Sequence, residues 1–182
     1  MTRQQLEHLI RAAGSIADDD LVIVGGQALL GAFPNAPSEL LRSMEADMYP
    51  LNDPSAADEI DGAIGDGSQF HDSFGYYAHG VGPDTAIVPA DWRERLIRVE
   101  APPAIVSQPT RSGWCLEPHD LMLSKLARGS ERDWQFVEAS LRHHLVDVPI
   151  LQERLQLMPD SHRELVRPRL AGVIARALTS RE

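Results

Sequence analysis

The sequence predicts an α/β chain: a small sheet interleaved with helices over the first two thirds, then a helical C-terminal third (an α+β segregation). Three observations carry this. Short strand-type runs, Leu21-Val22-Ile23-Val24, Ser43 to Pro50, Leu96-Ile97-Arg98-Val99 and Trp114-Cys115-Leu116, all precede Glu117. Helical periodicity lies between several of them. From Pro118 onward only helical patterning remains, so sheet and bundle follow one another along the chain.

Taken in order, Leu6, Leu9, Ile10, Ala13 and Ile16 recur at helical spacing and open the chain with an amphipathic helix, ended by Asp18-Asp19-Asp20. Leu21 to Val24 reads as a buried strand stopped by Gly25-Gly26, and Gln27 to Phe33 as a helix that reaches Pro34. A strand running through glycines into a helix leaves N–H groups free at the helix start, a natural anion cradle; the same pair also serves as a plain turn. Ser43 to Pro50 alternates polar and apolar residues, so Glu45 and Asp47 project from one face. That face is either simply solvated or the arrangement a divalent cation needs, since Mg²⁺ takes one or two carboxylates plus substrate phosphates.

Pro54 to Ile64 reads as a helix with Asp58, Glu59 and Asp61 outward, and Gly65 to Gly82 as loop. Within that loop, Phe70-His71-Asp72-Ser73-Phe74-Gly75-Tyr76-Tyr77-Ala78-His79-Gly80-Val81 concentrates aromatics, glycines and two histidines. It is either the wall of a site or an aromatic minicore, and His79 is its candidate for contact with substrate. Thr85 to Val88 is a further strand candidate. Pro118 suits a first helical turn, and that helix carries Leu121, Leu123, Lys125 and Leu126 up to Gly129. Ser130 caps the next, Asp133 to His143, and Asp147 to Leu157 and Ser161 to Leu178 complete the tail. The expected organisation is an α/β core over 1–116 with a helical region, 117–182, packed on it as one compact unit.

Composition excludes several classes. With 43% hydrophobic and 24% charged residues the chain is ordinary for a globular protein. A net charge of −10 without a basic tract argues against non-specific DNA binding. One cysteine, Cys115, excludes an internal disulfide and a cysteine-rich zinc site. No apolar run approaches a membrane span and no signal-peptide core opens the chain, so a cytoplasmic location is expected. Against sixteen arginines stands one lysine, Lys125. An ammonium is a compact point charge suited to phosphate oxygens or acid–base work, where guanidinium is a planar fork.

A glycine turn, two carboxylates on one face of the next strand, and a helical lysine with Asp133 eight residues on are the parts nucleotidyl transfer uses. Gly25-Gly26-Gln27-Ala28, Arg42-Ser43-Met44-Glu45-Ala46-Asp47, Gly75 to Val81, and Leu116 to Leu121 with Ser124-Lys125-Leu126 resemble a bacterial nucleotidyltransferase-like family (DUF6036-type), akin to the AbiEii-type toxins. The resemblance runs from about Ile10 to Val148. It implies a polymerase-β-like nucleotidyltransferase fold, a small mixed sheet flanked by helices. It implies Mg²⁺ or Mn²⁺ on Glu45 and Asp47, an NTP gripped at Gly25 and Gly26, Lys125 at its phosphates, and Asp133 as the acidic residue that follows. Gln27, Ser43, Arg128 and His79 complete the nucleotide-binding candidates.

The implied reaction moves a nucleoside monophosphate onto tRNA or a protein, as a toxin with a cognate antitoxin. The alternative is a degenerate fold that binds nucleotide or a partner without catalysis. Three departures from the family pattern bear on that choice: Gly26 where many enzymes place serine, Glu45 where aspartate is commoner, and no evident third carboxylate beyond Asp84 or Glu100. An RNA acceptor would require Arg128, Arg132, Arg142, Arg154 and Arg163 to line one face.

Overall fold

The computed structural model describes residues 1–105, 107 and 109–179. Helix α1 (Arg3–Ile16) begins where expected, in a capping box: Thr2 Oγ1 accepts the Gln5 N–H and the Gln5 side chain accepts the Thr2 N–H at 2.7 Å. Its stripe of Leu6, Leu9, Ile10 and Ala13 is fully buried, each Leu or Ile contributing about 1.5–3 kcal/mol. Strand β1 (Leu21–Ile23) follows, then a 3-10 turn over Gly26–Ala28 and a one-turn helix α2 (Leu29–Ala32). The expected Gln27–Phe33 helix is therefore shorter and tighter at its start.

Strand β2 (Glu45–Pro50) leads to α3 (Ala57–Ile64), α4 (Gln69–Phe74), β3 (Tyr77–Gly80), β4 (Ile97–Ala101) and β5 (Arg111–Cys115). Among the described residues these five strands form one mixed sheet in the order β3-β2-β1-β5-β4. The pairs β1–β2 and β4–β5 are antiparallel, and β1–β5 and β2–β3 parallel. Glu45 pairs with Tyr77 and Asp47 with His79. Ala46 and Met48, on the opposite face of β2, are buried in the apolar core that continues into the C-terminal helices.

Two readings are corrected. Gly65 to Gly82 is not a loop: Ser68 caps α4, Gly75 ends it at φ +74°, and β3 follows at once. Thr85 to Val88 is not a strand. Thr85 ends an exposed 3-10 turn and Ala86 to Val88 pack half-buried on the core without strand pairing; just beyond, the Ala90 N–H donates to Leu157 O at 2.8 Å and Arg95 Nη2 to Ala90 O. The C-terminal region thus meets the Ala90 N–H and the Trp92–Arg95 turn its carbonyl, where a sheet partner would otherwise be needed.

The last third comprises α5 (Pro118–Arg128), α6 (Glu131–Arg142), α7 (Val148–Leu155) and α8 (Asp160–Thr179). Helix α5 is pinned at its start. Asp120 is fully buried and accepts from Arg95 Nε at 2.8 Å and Arg154 Nη1 at 3.1 Å, while Arg154 also bonds Glu117. His119 Nδ1 lies 2.6 Å from Glu117, and its Nε2 accepts the Asp147 N–H at 2.9 Å. At the other end Gly129 takes φ +74° as the C-cap, where a Cβ would stand 2.1 Å from Arg169 Nη1. Among the described residues, no helix is long and apolar enough to cross a membrane.

Candidate active site

The parallel register of β2 and β3 builds the floor. Alternation along β2 sends Glu45 and Asp47 to one face, and along β3 sends Tyr77 and His79 to the same face. Tyr77 OH donates to Glu45 Oε2 at 3.0 Å, and His79 Nδ1 lies 3.0 Å from Asp47 Oδ1. Tyr76, one position away, turns to the other face and joins His8, Phe70 and Phe74 in an aromatic cluster, with His8 Nδ1 2.7 Å from its hydroxyl. The aromatic cluster is thus present just before β3, while Tyr77 and His79 of the strand itself face the β2 carboxylates.

The glycine turn enters from β1. A Cβ on Gly25 would stand 1.8 Å from Asp47 Oδ2, so only glycine lets the backbone come this close to the carboxylate. Gly26 is open by comparison: a Cβ there would lie 3.6 Å from Phe136 and 3.8 Å from Lys125 Nζ. Gln27 is buried and its Nε2 donates to Ser43 O at 3.1 Å, tying the turn to the approach to β2. Ser43 Oγ accepts the Glu45 N–H at 3.1 Å. Both residues line the cleft, and the hydrogen bonds shown for them are internal.

From the opposite wall, α5 presents Lys125. Its side chain is 11% exposed, and its Nζ lies 3.3 Å from Asp133 Oδ1 and 4.4 Å from the centre of the Phe136 ring. Burial pulls the ammonium below its ordinary value, while Asp133 pushes back. Asp133 is 1% exposed and saturated. Arg128 donates to it through Nε at 2.8 Å and Nη2 at 2.5 Å, and Ser130 through its hydroxyl at 2.7 Å. Burial opposes its ionisation, but those donors and the two cations outweigh burial and hold it well below the usual carboxylate range. It also closes the capping box that starts α6. Asp133 is therefore a positioning group for Lys125 and Arg128.

These parts enclose one cleft of about 580 Å³, large enough for a nucleotide. Gly26, Gln27, Ser43, Glu45, Asp47, Lys125, Arg128 and Asp133 all line it, and His79 joins them through Asp47. Sequence reasoning gave no site role to Phe136, quoted Tyr77 and Arg42 only within longer motifs, and offered Arg132 only as an RNA contact. Tyr77 was legible as the period-two neighbour of His79, and Phe136 as the residue one turn beyond Asp133.

Burial opposes ionisation of the Tyr77 phenol, which with Glu45 beside it is pushed up to about 12. For His79, burial lowers the pKa, but the Asp47 contact and the carboxylates of Glu45 and Asp61 outweigh it and hold the ring above its ordinary value. Glu100 lies on β4, at the sheet edge opposite β3, and pairs with Arg98 at 3.1 Å; Asp84 sits on an exposed turn. Neither supplies a third carboxylate.

The five arginines do not form one stripe. Arg128 and Arg132 line the cleft, and Arg142 pairs with Glu39 at its rim. Arg154 is held by Glu117 and Asp120, and Arg163 donates to Met158 O and pairs with Asp160.

The donor set fits a divalent cation. The carboxylates of Glu45 and Asp47 offer hard oxygens, and one ligand atom each from Glu45, Asp47 and His79 lie within 4.8 Å of one another. Glu45 and Asp47 line the cleft directly, and His79 adjoins it through Asp47.

Neither a curated protein nor a solved structure matches the chain. A family model described as a nucleotidyltransferase of unknown function matches residues 4–166, which spans the sheet, the cleft and most of the helical tail. The chain belongs to that nucleotidyltransferase family (DUF6036), whose reaction draws on a nucleoside triphosphate.

Proposed function

We propose that the chain transfers a nucleoside monophosphate from an NTP to a hydroxyl of a macromolecular acceptor, tRNA or protein. The observation that carries this is the convergence of the one lysine, Lys125, on the same cleft as Glu45 and Asp47, across the turn that Gly25 lets approach Asp47. Glu45 and Asp47 would hold Mg²⁺ or Mn²⁺, which would acidify the acceptor hydroxyl and offset phosphate charge.

Lys125 and Arg128 take the phosphate oxygens, the first as a point charge and the second as a fork. Asp133 fixes both side chains before the nucleotide arrives, so their ordering costs little at binding. The acceptor oxygen bonds to the α-phosphorus, the bond from that phosphorus to the bridging oxygen breaks, and pyrophosphate leaves with that electron pair. The acceptor proton passes to water.

The toxin role, with an antitoxin partner, follows the resemblance to AbiEii-type proteins. A specific observation also favours a binder without transfer: Gly26 brings no hydroxyl to the phosphates, and Glu45 is one methylene longer than aspartate.

The test is transfer of label from each of the four α-labelled NTPs, with Mg²⁺ or Mn²⁺, into bulk tRNA and into protein. Wild type labels one acceptor class, and Asp47→Asn and Lys125→Ala each lose at least about 10²-fold while keeping their fold. Bound NTP without label in any lane sinks the enzyme and leaves the binder.

A further inference from the structure

The geometry points to His79 as a third metal ligand beside Glu45 and Asp47, one that makes this site prefer Mn²⁺ to Mg²⁺; the inference rests on the metal-dependent reading of those two carboxylates. A three-ligand protein site on a sheet needs a third donor from a neighbouring strand, on the same face and level with the first two. Parallel pairing puts one there: His79 is the Cα partner of Asp47, and its ligand atom lies within 4.8 Å of those of both carboxylates. Its side chain is 49% exposed and its Nδ1 lies 3.0 Å from Asp47 Oδ1, so the ring already faces that carboxylate from a position a cation can reach.

Among the described residues no other histidine, cysteine or carboxylate joins this group. Asp61, whose charge also reaches His79, accepts the Gly80 N–H at 3.2 Å instead. Tyr77 is not a competitor either, since its hydroxyl is directed at Glu45 Oε2 and orients that ligand from outside.

Charge decides what an imidazole does here. A third carboxylate would bring a third negative charge against a triphosphate, whereas a neutral ring coordinates without adding that repulsion. The same exchange changes metal choice. Mg²⁺ binds through oxygen and gives up its waters reluctantly, so a nitrogen ligand serves it poorly. Mn²⁺ takes the same carboxylate oxygens and, as a first-row transition ion, also accepts imidazole. A donor set of two carboxylates and one histidine is thus biased toward Mn²⁺ in a way that two carboxylates alone are not.

The experiment loads the full chain with Mn²⁺ and inorganic tripolyphosphate, a probe that contains no nitrogen, and reads electron spin-echo modulation from the bound ion. Wild type shows nitrogen modulation at the imidazole frequencies, and His79→Gln loses it at equal Mn²⁺ occupancy. Calorimetry then gives the ratio of Mn²⁺ to Mg²⁺ affinity, which falls at least about tenfold in His79→Gln. In His79→Asp, Mg²⁺ affinity rises relative to Mn²⁺. Because His79 is an exposed strand residue, His79→Gln stays folded, and His79→Asp, which sets a carboxylate level with Asp47, is compared with metal bound; circular dichroism checks both.

Bound Mn²⁺ without nitrogen modulation, or equal metal ratios in wild type and His79→Gln, overturns the His79 assignment and leaves the two-carboxylate site standing. No Mn²⁺ binding by wild type overturns both readings. A loss of label transfer in His79→Gln with metal binding unchanged also overturns it, and makes the Asp47–His79 contact a base pair for proton transfer instead.

Discussion

Replacing Asp133 by Asn tests whether the lysine of the cleft is held by charge. The substitution keeps the shape, removes the countercharge from a 1% exposed site, and turns one of two acceptor oxygens into an NH2 that faces the donors of Arg128 and of either Ser130 or Lys125. Its two cations respond differently. Arg128 has a side chain 63% exposed, so water takes over its solvation and its share is that of a surface pair, about 0.2–1 kcal/mol.

Lys125, at 11% exposed, is left charged in the interior. Removing one partner of a buried pair costs about 3–5 kcal/mol. The ceiling is the cost of taking the proton from an ordinary lysine at pH 7, about 4.6 kcal/mol, because the chain can always pay that instead. A loss of about 3–4 kcal/mol follows, or roughly 10 °C in melting temperature for a chain of this length.

Two signatures separate this from a lost cap. Adding Lys125→Met to Asp133→Asn restores part of the stability, since no charge is then stranded. The single variant also gains on wild type between pH 7 and pH 9: a lysine protonated in the unfolded chain and neutral in the folded one makes stability rise with pH. Urea melts at the two pH values read both. A loss below about 1 kcal/mol, or no recovery in the double variant, refutes the argument that burial of Lys125 sets the cost.

Two further substitutions probe the floor of the cleft. Gly25→Ala drives a Cβ into the Asp47 carboxylate, so Mn²⁺ affinity falls at least about tenfold, whereas Gly26→Ala, with its nearest neighbours at 3.6 and 3.8 Å, leaves metal binding unchanged; equal effects on metal titration would show that the close approach at Gly25 does not matter. The Tyr77 phenol, pushed up to about 12 by burial and by Glu45, stays protonated through pH 10, and ultraviolet titration of Tyr77→Phe loses this late-ionising phenol. The sign follows: a phenol with a raised folded pKa contributes stability that is full below pH 10 and lost as pH climbs toward 12, and this loss is smaller in Tyr77→Phe. An ordinary titration of Tyr77 near pH 10 sinks that assignment.

The elements that sequence reveals are those whose pattern is long enough to repeat. Leu6, Leu9, Ile10 and Ala13 declare α1, and Ala46 and Met48 alternating with Glu45 and Asp47 declare β2, because each pattern is imposed by one buried face. Strand β3 is only Tyr77–Gly80, with one fully buried residue, Ala78, and its partner β2 lies some thirty residues away. Nothing local in four residues marks a strand whose stability comes from pairing.

Helix α4 had both signals, Ser68 before it and Gly75 after it, but six residues give no periodicity between them. The opposite error at Thr85 to Val88 has the same root: an apolar run fits a strand, and only the absence of a sheet neighbour prevents one. In the site, Lys125 was legible because it stands alone in the composition and Asp47 because it shares a face with Glu45. The spacing from Asp133 marks Phe136 as a neighbour, but that it and Arg132 reach the cleft depends on how α6 is set against the sheet, which helical spacing does not encode.

The three departures from the family pattern become connected once β3 is in place. A glutamate at position 45 carries its carboxylate farther from the strand than an aspartate would, and a longer side chain needs a partner to hold it. Tyr77, level with Glu45 in the register, supplies that partner at 3.0 Å. The absent third carboxylate has the same kind of answer two residues on, where His79 stands level with Asp47. One four-residue strand thus gives each carboxylate of β2 its own polar neighbour, at the same period of two that put the carboxylates on one face. The hydroxyl missing at Gly26 is different: nothing on β3 reaches it, and the groups nearest it are Lys125 and Phe136. If the site transfers nucleotide, Lys125 must carry the phosphate contact that a serine would have shared, which makes Lys125→Arg, retaining charge but replacing a point donor with a fork, more damaging here than in a site that has the hydroxyl.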